Sequence, residues 1–165
     1  MAIYYSRSAR ETENIGFSLA KTVEVGSVVA LFGELGAGKT AFVRGFARGM
    51  GINAEVTSPT FALVNEYRSG KKALCHFDMY RITGWDDLYS TGYFDYLDAG
   101  ATLIIEWSEN IEAILPQDCV RVTITKCDDL RKDRERRRDR GGQADKRMLC
   151  QRRFDPQPHA DANGR

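Results

Sequence analysis

The sequence lacks any long hydrophobic run. No apolar segment in its 165 residues approaches the ~20 residues that a helix needs to cross a bilayer. The first residues also lack a basic segment followed by an apolar stretch, which is the pattern of a secretory signal. We therefore expect a cytoplasmic protein with no association with a membrane.

Cysteine is scarce, and its positions show no paired pattern. The four cysteines are Cys75, Cys119, Cys127 and Cys150, and no two of them form a C-x-x-C pair. In a reducing compartment such scattered cysteines are expected to be free thiols. The pattern therefore does not favour a metal site built on cysteine.

Most of the chain also lacks an excess of positive charge. Residues 1–125 carry 11 Lys and Arg against 15 Asp and Glu, a net charge of −4, whereas residues 126–165 carry 13 against 8, a net charge of +5. The net negative charge of residues 1–125 argues against a broad nucleic-acid-binding surface on this part of the chain. The change of composition predicts a folded domain over residues 1–125 and a basic tail over residues 126–165.

Few large apolar residues occur in the predicted tail, and residues 131–140 are almost entirely charged. Such a segment cannot bury enough surface to offset the loss of chain entropy, so we expect it to be disordered. A solvated extension is the simpler interpretation of this tail. The alternative is an arginine-rich segment that binds RNA.

The most informative motif present is G-x-x-x-x-G-K-T over residues 33–40, a pattern typical of phosphate-binding loops. It lies between an apolar run at residues 27–32, which predicts a strand, and a predicted helix that begins at about residue 41. Phosphate binding needs that placement, because glycines let successive N–H groups point at phosphate oxygens at a helix N-terminus. We expect nucleotide contacts from Leu35, Gly36, Ala37, Gly38, Lys39 and Thr40.

Two side chains of this loop are of the types that bind a nucleotide together with magnesium. Lys39 is expected to reach the β- and γ-phosphates of ATP, and the Thr40 hydroxyl is expected to ligate Mg²⁺. A carboxylate from a neighbouring strand usually completes such a site. The sequence therefore requires an acidic residue at the end of another strand.

Asp78 and Glu106 both follow apolar runs that predict strands. Both carboxylates should emerge at the carboxyl edge of the sheet, where open α/β sheets bind their ligands. Either can ligate the metal, while the other acts through a water or orients the attacking water. His76, two residues before Asp78, is interpreted as a packed, hydrogen-bonded residue rather than a catalytic base.

Two further features near the predicted site have alternative interpretations. Ser58 and Thr60 flank Pro59 where many P-loop hydrolases place a switch segment that senses the γ-phosphate, although a plain turn also fits. Trp107 directly follows Glu106 and can stack on a base, although a lone tryptophan often serves packing alone.

The order of predicted elements favours an α/β fold. Helices are predicted at residues 9–22 and from the loop to about residue 50, and a hairpin at residues 61–78 with its turn at residues 69–72. A short helix follows at residues 86–89, and residues 92–98 are an aromatic-rich loop or a second short helix. A strand at residues 101–107 and an alternating strand at residues 120–125, which we interpret as an edge strand, complete the order. The sum is a three-layer, P-loop NTPase-like domain with a central, mostly parallel sheet.

Four segments, in this order, resemble the TsaE (YjeE) family: GELGAGKT at residues 33–40, SPTF at 58–61, HFDMYR at 76–81 and IEW at 105–107. The resemblance covers roughly residues 1–125. It implies a small bacterial P-loop ATPase that is needed for the threonylcarbamoyladenosine modification of certain tRNAs. Its implied partners are TsaB and TsaD, of which TsaD performs the transfer, so tRNA is contacted only through them.

The resemblance also implies a role for each residue of the core motifs. Lys39 would contact phosphates, Thr40 would ligate magnesium, and Asp78 would take the Walker B-like role. Glu106 would lie at the metal and at the hydrolytic water, and Trp107 would lie near the nucleotide. We therefore treat Lys39, Asp78 and Glu106 as the catalytic candidates.

Further nucleotide contacts are implied outside the core motifs. Ser58 and Thr60 would form the switch segment, and a contact just before the first helix would fall near Ala9. Family members usually carry Gly-Arg near the end of a late edge strand. Here residues 130–131 are Leu-Arg, so Arg131 is the corresponding candidate, and the expected strand pattern is missing beyond it.

Two other functional classes fit the loop less well. A small-molecule kinase usually carries a lid with several arginines over the phosphates. The body shows no such cluster in its dispersed arginines, among them Arg44, Arg48, Arg68 and Arg81. A binding module without hydrolysis would not need both Asp78 and Glu106.

Overall fold

The computed structural model describes residues 2–126 and, as backbone, residues 146–151. The strands are β1 (Ala2–Ser6), β2 (Val28–Phe32), β3 (Val64–Ser69), β4 (Lys72–Asp78), β5 (Thr102–Glu106), β6 (Val120–Lys126) and β7 (Lys146–Gln151). The helices are α1 (Ala9–Ala20), α2 (Lys39–Gly49), α3 (Trp85–Ser90) and α4 (Tyr93–Asp98), with a 3-10 segment at Ser108–Ile114. None of the helices in the described ranges combines the length and the apolar character of a membrane-spanning segment.

All seven strands form one sheet, in the order β1-β7-β6-β2-β5-β4-β3. The central strands β6, β2, β5 and β4 are parallel, and the outer pairings are antiparallel. The prediction of a central, mostly parallel sheet is therefore confirmed. Parallel neighbours bring their carboxyl ends to one edge, and the register there pairs Glu106 with Leu31 on one side and with Asp78 on the other.

The sheet is covered on both faces, which makes three layers. β2 is apolar on both sides, as a strand in the middle of a parallel sheet must be. Val29 and Leu31 pack in the core beneath α1 and α2, whereas Val28 and Ala30 pack in the opposite core with residues of α3 and α4. The α/β class and its layered architecture agree with the prediction.

Helix α1 begins with a reciprocal cap. The side chain of Ser8 accepts a hydrogen bond from the backbone N–H of Glu11 at 3.2 Å. The carboxylate of Glu11 accepts one from the N–H of Arg7 at 2.7 Å. The Ser8 bond pairs an N–H group of the first turn, and the Glu11 bond ties the residue just before the N-cap to the same turn. Ser8 is the N-cap of a helix that starts at Ala9.

Helices α1 and α2 touch through their backbones because glycines lie at the crossing. A Cβ atom on Gly45 of α2 would overlap the carbonyl oxygen of Glu13, and one on Gly16 of α1 would overlap that of Phe42. Any side chain at either position would force the helices apart. The close packing fixes α1 against the helix that continues from the predicted phosphate loop.

The carboxyl-terminal part of the sheet differs from the prediction in two respects. β6 is not an edge strand, because β7 pairs with it on the side away from β2. β7 itself, Lys146–Gln151, falls in the segment for which we expected disorder, and its backbone pairs with both β6 and β1. Pairing from two sides explains why these six residues form a strand despite their charged surroundings. Residues 127–145 and 152–165 lie outside the described residues.

Candidate functional site

The loop at residues 33–40 joins the end of β2 to the start of α2, as predicted. Its three glycines have positive φ angles of 141° at Gly33, 72° at Gly36 and 109° at Gly38. Side chains rarely tolerate these conformations, so the backbone path depends on glycine. Leu35 is exposed at the tip, and Ala37 is buried beneath it. The loop therefore presents backbone N–H groups at the positive end of an 11-residue helix.

Lys39, the first residue of α2, folds back onto the loop. Its ammonium nitrogen donates hydrogen bonds to the carbonyl oxygens of Gly33 at 2.5 Å and Glu34 at 3.1 Å. The same nitrogen lies 3.7 Å from the centroid of the Trp107 ring. Burial lowers the pKa of Lys39, while nearby carboxylates, led by Glu106, oppose that shift. The two carbonyl oxygens that it contacts are neutral. An incoming phosphate would add the opposite charge that stabilises a buried ammonium.

Glu106 connects the loop helix with the sheet. Its Oε1 accepts a hydrogen bond from the Thr40 hydroxyl at 2.8 Å and lies 2.9 Å from Nε2 of His76. All three side chains meet below the carboxyl edge, with His76 fully buried and Glu106 3% exposed. The packed, hydrogen-bonded interpretation of His76 is thus confirmed. The carboxylate is held by groups from two different layers.

Asp78 is held by the segment that follows α2. Its Oδ2 accepts hydrogen bonds from the hydroxyls of Ser58 at 3.1 Å and Thr60 at 2.8 Å. These two hydroxyls also lie 2.8 Å from each other. Oδ1 accepts the backbone N–H of Tyr80 at 3.0 Å. The predicted switch segment therefore contacts the predicted Walker B-like carboxylate directly.

Trp107 follows Glu106 at a sharp change of chain direction. It has a positive φ of 59°, which is uncommon for a residue with a side chain, and it starts the 3-10 segment. Its ring lies 4.8 Å from that of Tyr80, centroid to centroid. The chain bend, the Tyr80 ring and the Lys39 ammonium together hold the indole over the loop.

The structure brings most of the predicted site residues together. Contacts join the residues of the loop with those of β4, β5 and the switch segment: Lys39, Thr40, Ser58, Thr60, Asp78, Glu106 and Trp107. Ala9 is exposed at the first turn of α1, a helix that packs against α2. Arg131 lies outside the described residues. The roles of all these residues in nucleotide binding stay predictions.

Lys126 is a residue of the loop region that the sequence analysis did not identify. Its ammonium donates to the carbonyl oxygen of Leu35 at 2.8 Å and lies 3.7 Å from the Glu34 carboxylate. It ends β6, the parallel neighbour of β2. A correct assignment of β6 beside β2 would have placed Lys126 at the loop, but the edge-strand interpretation did not.

The oxygen donors at this edge suit a magnesium nucleotide. In the part of the chain that the structure describes, no group of three or more His, Cys, Asp and Glu side chains is placed to hold a metal alone. Mg²⁺ bound with nucleotides typically takes only one or two carboxylates, together with phosphate and water oxygens. Thr40 donates its hydrogen to Glu106, which leaves the hydroxyl lone pairs for a cation. The residues present therefore fit the metal.

A model of the family described as "Threonylcarbamoyl adenosine biosynthesis protein TsaE" matches residues 6–137. The chain belongs to the TsaE family. This confirms the resemblance that four short segments indicated. Membership in the TsaE family places the chain among proteins of threonylcarbamoyladenosine biosynthesis, the process in the family's description, and the names of curated relatives assign that process to tRNA.

Individual relatives of the TsaE family support the same assignment. The tRNA threonylcarbamoyladenosine biosynthesis protein TsaE of Treponema pallidum is 40% identical over 119 residues, covering 72% of this chain and 87% of that protein. The Bacillus subtilis protein of the same name is 39% identical over 119 residues, covering 72% and 74%. The crystal structure of Bacillus subtilis YdiB superposes with a TM-score of 0.65 and 29% identity, covering 90% of this chain and 84% of that chain.

Proposed function

We propose that this chain binds ATP with Mg²⁺ at the loop of residues 33–40 and hydrolyses it in the cytoplasm. It would do so as an accessory subunit of tRNA threonylcarbamoyladenosine modification, acting on a complex of TsaB-like and TsaD-like proteins. The observation that carries this proposal is the 2.8 Å hydrogen bond between Thr40 and Glu106. It joins the phosphate loop to a carboxylate of the adjacent strand, and P-loop hydrolases hold Mg²⁺ with a loop hydroxyl and a carboxylate of a neighbouring strand.

Binding of the phosphates would fall to the loop and to Lys39. The backbone N–H groups between Gly33 and Thr40 supply partial positive charge at the helix N-terminus. The Lys39 ammonium, now on the Gly33 and Glu34 carbonyl oxygens, would turn to the β- and γ-phosphates. The position of the base stays open, with Trp107, Ala9 and Arg131 as candidates.

Thr40 and the carboxylates of Asp78 and Glu106 would hold the metal, directly or through water. When bound, Mg²⁺ would neutralise the charge that develops on the transferred phosphoryl group. Glu106 is suited to orient the attacking water, because it lies at the strand end beside the loop and only one of its oxygens takes the Thr40 hydrogen. Asp78 would take the Walker B-like role.

Ser58 and Thr60 would make the site responsive to partners. Both hydroxyls now bond to Asp78, so the segment has to rearrange if they are to reach phosphate or metal. A TsaB–TsaD pair that orders the segment would close the site and speed hydrolysis. The chain alone would then hydrolyse ATP slowly and would need its partners for the full rate.

The small-molecule kinase fits the structure less well. The four arginines considered for a phosphate lid are each engaged elsewhere: Arg44 and Arg48 with Glu13, Arg68 with Glu66, and Arg81 over the ring of Phe61. Arginines in these contacts are not gathered above the loop. Hydrolysis therefore remains the better proposal.

The decisive experiment measures ATP hydrolysis by this chain with and without a purified TsaB–TsaD pair. Lys39→Ala should abolish the stimulated hydrolysis and weaken nucleotide binding. Lys71→Ala, at the exposed β3–β4 turn, is the matched control and should behave as the unaltered chain does. Absence of nucleotide binding and of hydrolysis under both conditions would refute the proposal.

A further inference from the structure

The strongest unexplained side chain is His76 of β4. It is fully buried, and it lies two residues before Asp78 on the same face of the strand. Leu74 and Ile104 of that face belong to the core beneath α1 and α2, and Thr40 projects from α2 toward the same place. A buried imidazole is costly unless its nitrogens are hydrogen-bonded, so its place beside the site calls for an explanation.

The contact of His76 with Glu106 defines which ring nitrogen carries hydrogen. Nε2 lies 2.9 Å from Glu106 Oε1, and the oxygens of an ionised carboxylate can only accept hydrogen bonds. Nε2 is therefore the donor. Nδ1 is buried and has no hydrogen-bond partner among the described residues, so the ring uses only one of its two nitrogens, and that one faces the site.

Two donors converge on the same oxygen atom of Glu106. Thr40 reaches Oε1 from α2 at 2.8 Å, and His76 reaches it from β4 at 2.9 Å. Together they restrict rotation of the carboxylate from two sides. Neither of these hydrogen bonds uses the second oxygen, Oε2, so this atom is available to a water or a metal-bound ligand.

We propose that His76 is a positioning residue that fixes the Glu106 carboxylate, and through it the Thr40 hydroxyl, by donating Nε2–H to Oε1. The inference rests on the proposed function, since it assigns His76 a task within that site. Some residues hydrogen-bond to a metal ligand without contacting the metal. Their removal typically lowers metal affinity or activity about 10–100-fold. His76 does not touch the nucleotide, so its loss should affect the metal and the catalytic rate more than nucleotide binding itself.

Three substitutions separate this role from simple packing. His76→Leu fills the buried space without a donor, His76→Gln places an amide N–H near the position of Nε2, and His76→Asn places one nearer Nδ1. Nucleotide binding is measured with a fluorescent ADP while Mg²⁺ is titrated. The Mg²⁺ concentration for half-maximal effect should rise about tenfold or more in His76→Leu and His76→Asn, while His76→Gln stays within about threefold of the unaltered chain.

The steady-state rates of ATP hydrolysis with the TsaB–TsaD pair give a second readout. In His76→Leu, kcat should fall about 10–100-fold with little change in KM, and His76→Gln should recover most of it. Equal losses in the Leu and Gln variants would show that His76 only packs, and would overturn the proposal. If His76→Leu does not fold, the Asn and Gln variants still make the comparison.

A spectroscopic test is independent of activity. The chain has two histidines, His76 and His159, so in a His159→Gln variant ¹⁵N NMR reports one imidazole ring. The expected spectrum is that of hydrogen on Nε2, and hydrogen on Nδ1 alone would refute the inference. If the chain binds nucleotide with Mg²⁺ but hydrolyses none, the proposed function fails, while the Mg²⁺ titration and the NMR spectrum still decide the role of His76.

Discussion

The ammonium nitrogen of Lys39 lies 3.7 Å from the centroid of the Trp107 ring. This is a close cation–π contact between the first residue of α2 and the residue that follows β5. The ammonium also holds the carbonyl oxygens of Gly33 and Glu34. A phosphate that draws the ammonium away must therefore change the surroundings of the indole.

Nucleotide binding should accordingly change the fluorescence of Trp107. The chain has two tryptophans, and the other, Trp85, is exposed on α3. In a Trp85→Phe variant, ATP with Mg²⁺ should produce a saturable change in emission, and adding Lys39→Ala should remove it. A change that persists in Trp107→Phe but is absent in Trp85→Phe would contradict the prediction.

Glu106→Gln should impair hydrolysis far more than binding. The amide keeps the size of the side chain and can still accept the Thr40 hydrogen, but it loses the charge that orients water. We expect kcat to fall at least about 100-fold, as when a general acid–base group is removed, with the ATP Kd within about threefold. Single-turnover rates with the TsaB–TsaD pair measure this.

Glu109→Gln serves as the control for Glu106. Like Glu106, Glu109 is a carboxylate that raises the pKa of Lys39. Glu109 is exposed and lies three residues after Glu106 in the chain. Turnover of the Glu109→Gln variant should stay close to that of the unaltered chain. Unimpaired turnover in Glu106→Gln would show that another group orients the water.

Thr60→Val should weaken the attachment of the switch segment to Asp78. It removes the 2.8 Å hydrogen bond to Asp78, and a hydrogen bond to a charged group typically contributes about 1.5–3 kcal/mol. We expect the partner-stimulated ATPase rate to fall about tenfold or more. Thr83→Val removes the same kind of bond, to Asp87 at 2.9 Å, at a site away from the loop, and should have no such effect. Equal effects would mean that the segment is a plain turn.

The grouping of the candidate site residues was largely predictable because it follows from local sequence patterns. Lys39 and Thr40 belong to one contiguous motif. Asp78 and Glu106 each follow an apolar run, and the physics of a parallel sheet brings such strand ends together. The sharing of one Glu106 oxygen by Thr40 and His76 depends on side-chain directions, which no local pattern determines.

The carboxyl-terminal strands were less predictable because their signal lies in long-range pairing. The alternation of residues 120–125 resembles that of an edge strand, yet β7 covers β6, and nothing local in residues 120–125 announces a partner further along the chain. Composition correctly marks residues 126–165 as poor in large apolar side chains. Composition cannot reveal that six of these residues form β7, which pairs with β1 on one side and β6 on the other.

Gly45→Ala should destabilise the fold by wedging α2 away from α1. The new methyl group would overlap the Glu13 carbonyl oxygen, and overpacking of this kind typically costs about 1–3 kcal/mol. Gly84→Ala is the matched control, since a Cβ there meets nothing within 4 Å. Urea unfolding should show a lower midpoint for Gly45→Ala only. Equal midpoints would mean that the helices separate without cost.

Alkaline pH should destabilise the chain through two buried groups. Burial raises the pKa of the Cys75 thiol from 9.0 to about 11 and that of the Tyr93 hydroxyl from 10.0 to about 12. Between pH 9 and 12 the unfolded chain therefore holds fewer protons than the folded one, and stability falls as pH rises. Each unit of pKa difference corresponds to about 1.4 kcal/mol, so the free energy of unfolding should drop by about 2 kcal/mol through Cys75 by pH 11.

Cys75→Val and Tyr93→Phe isolate the two contributions to this loss. Cys75→Val removes one of the ionisations that begin near pH 9, so the decline of stability between pH 9 and 11 should become shallower. The buried Cys119 thiol, whose pKa burial also raises, keeps its own contribution. Tyr93→Phe removes a buried hydroxyl that has no hydrogen-bond partner among the described residues. It should cost little at pH 7, because no bond is lost, and should flatten the decline above pH 10. Urea unfolding at pH 7, 9, 10 and 11 measures both effects. A decline as steep in the double variant as in the unaltered chain would assign the alkaline loss to other groups.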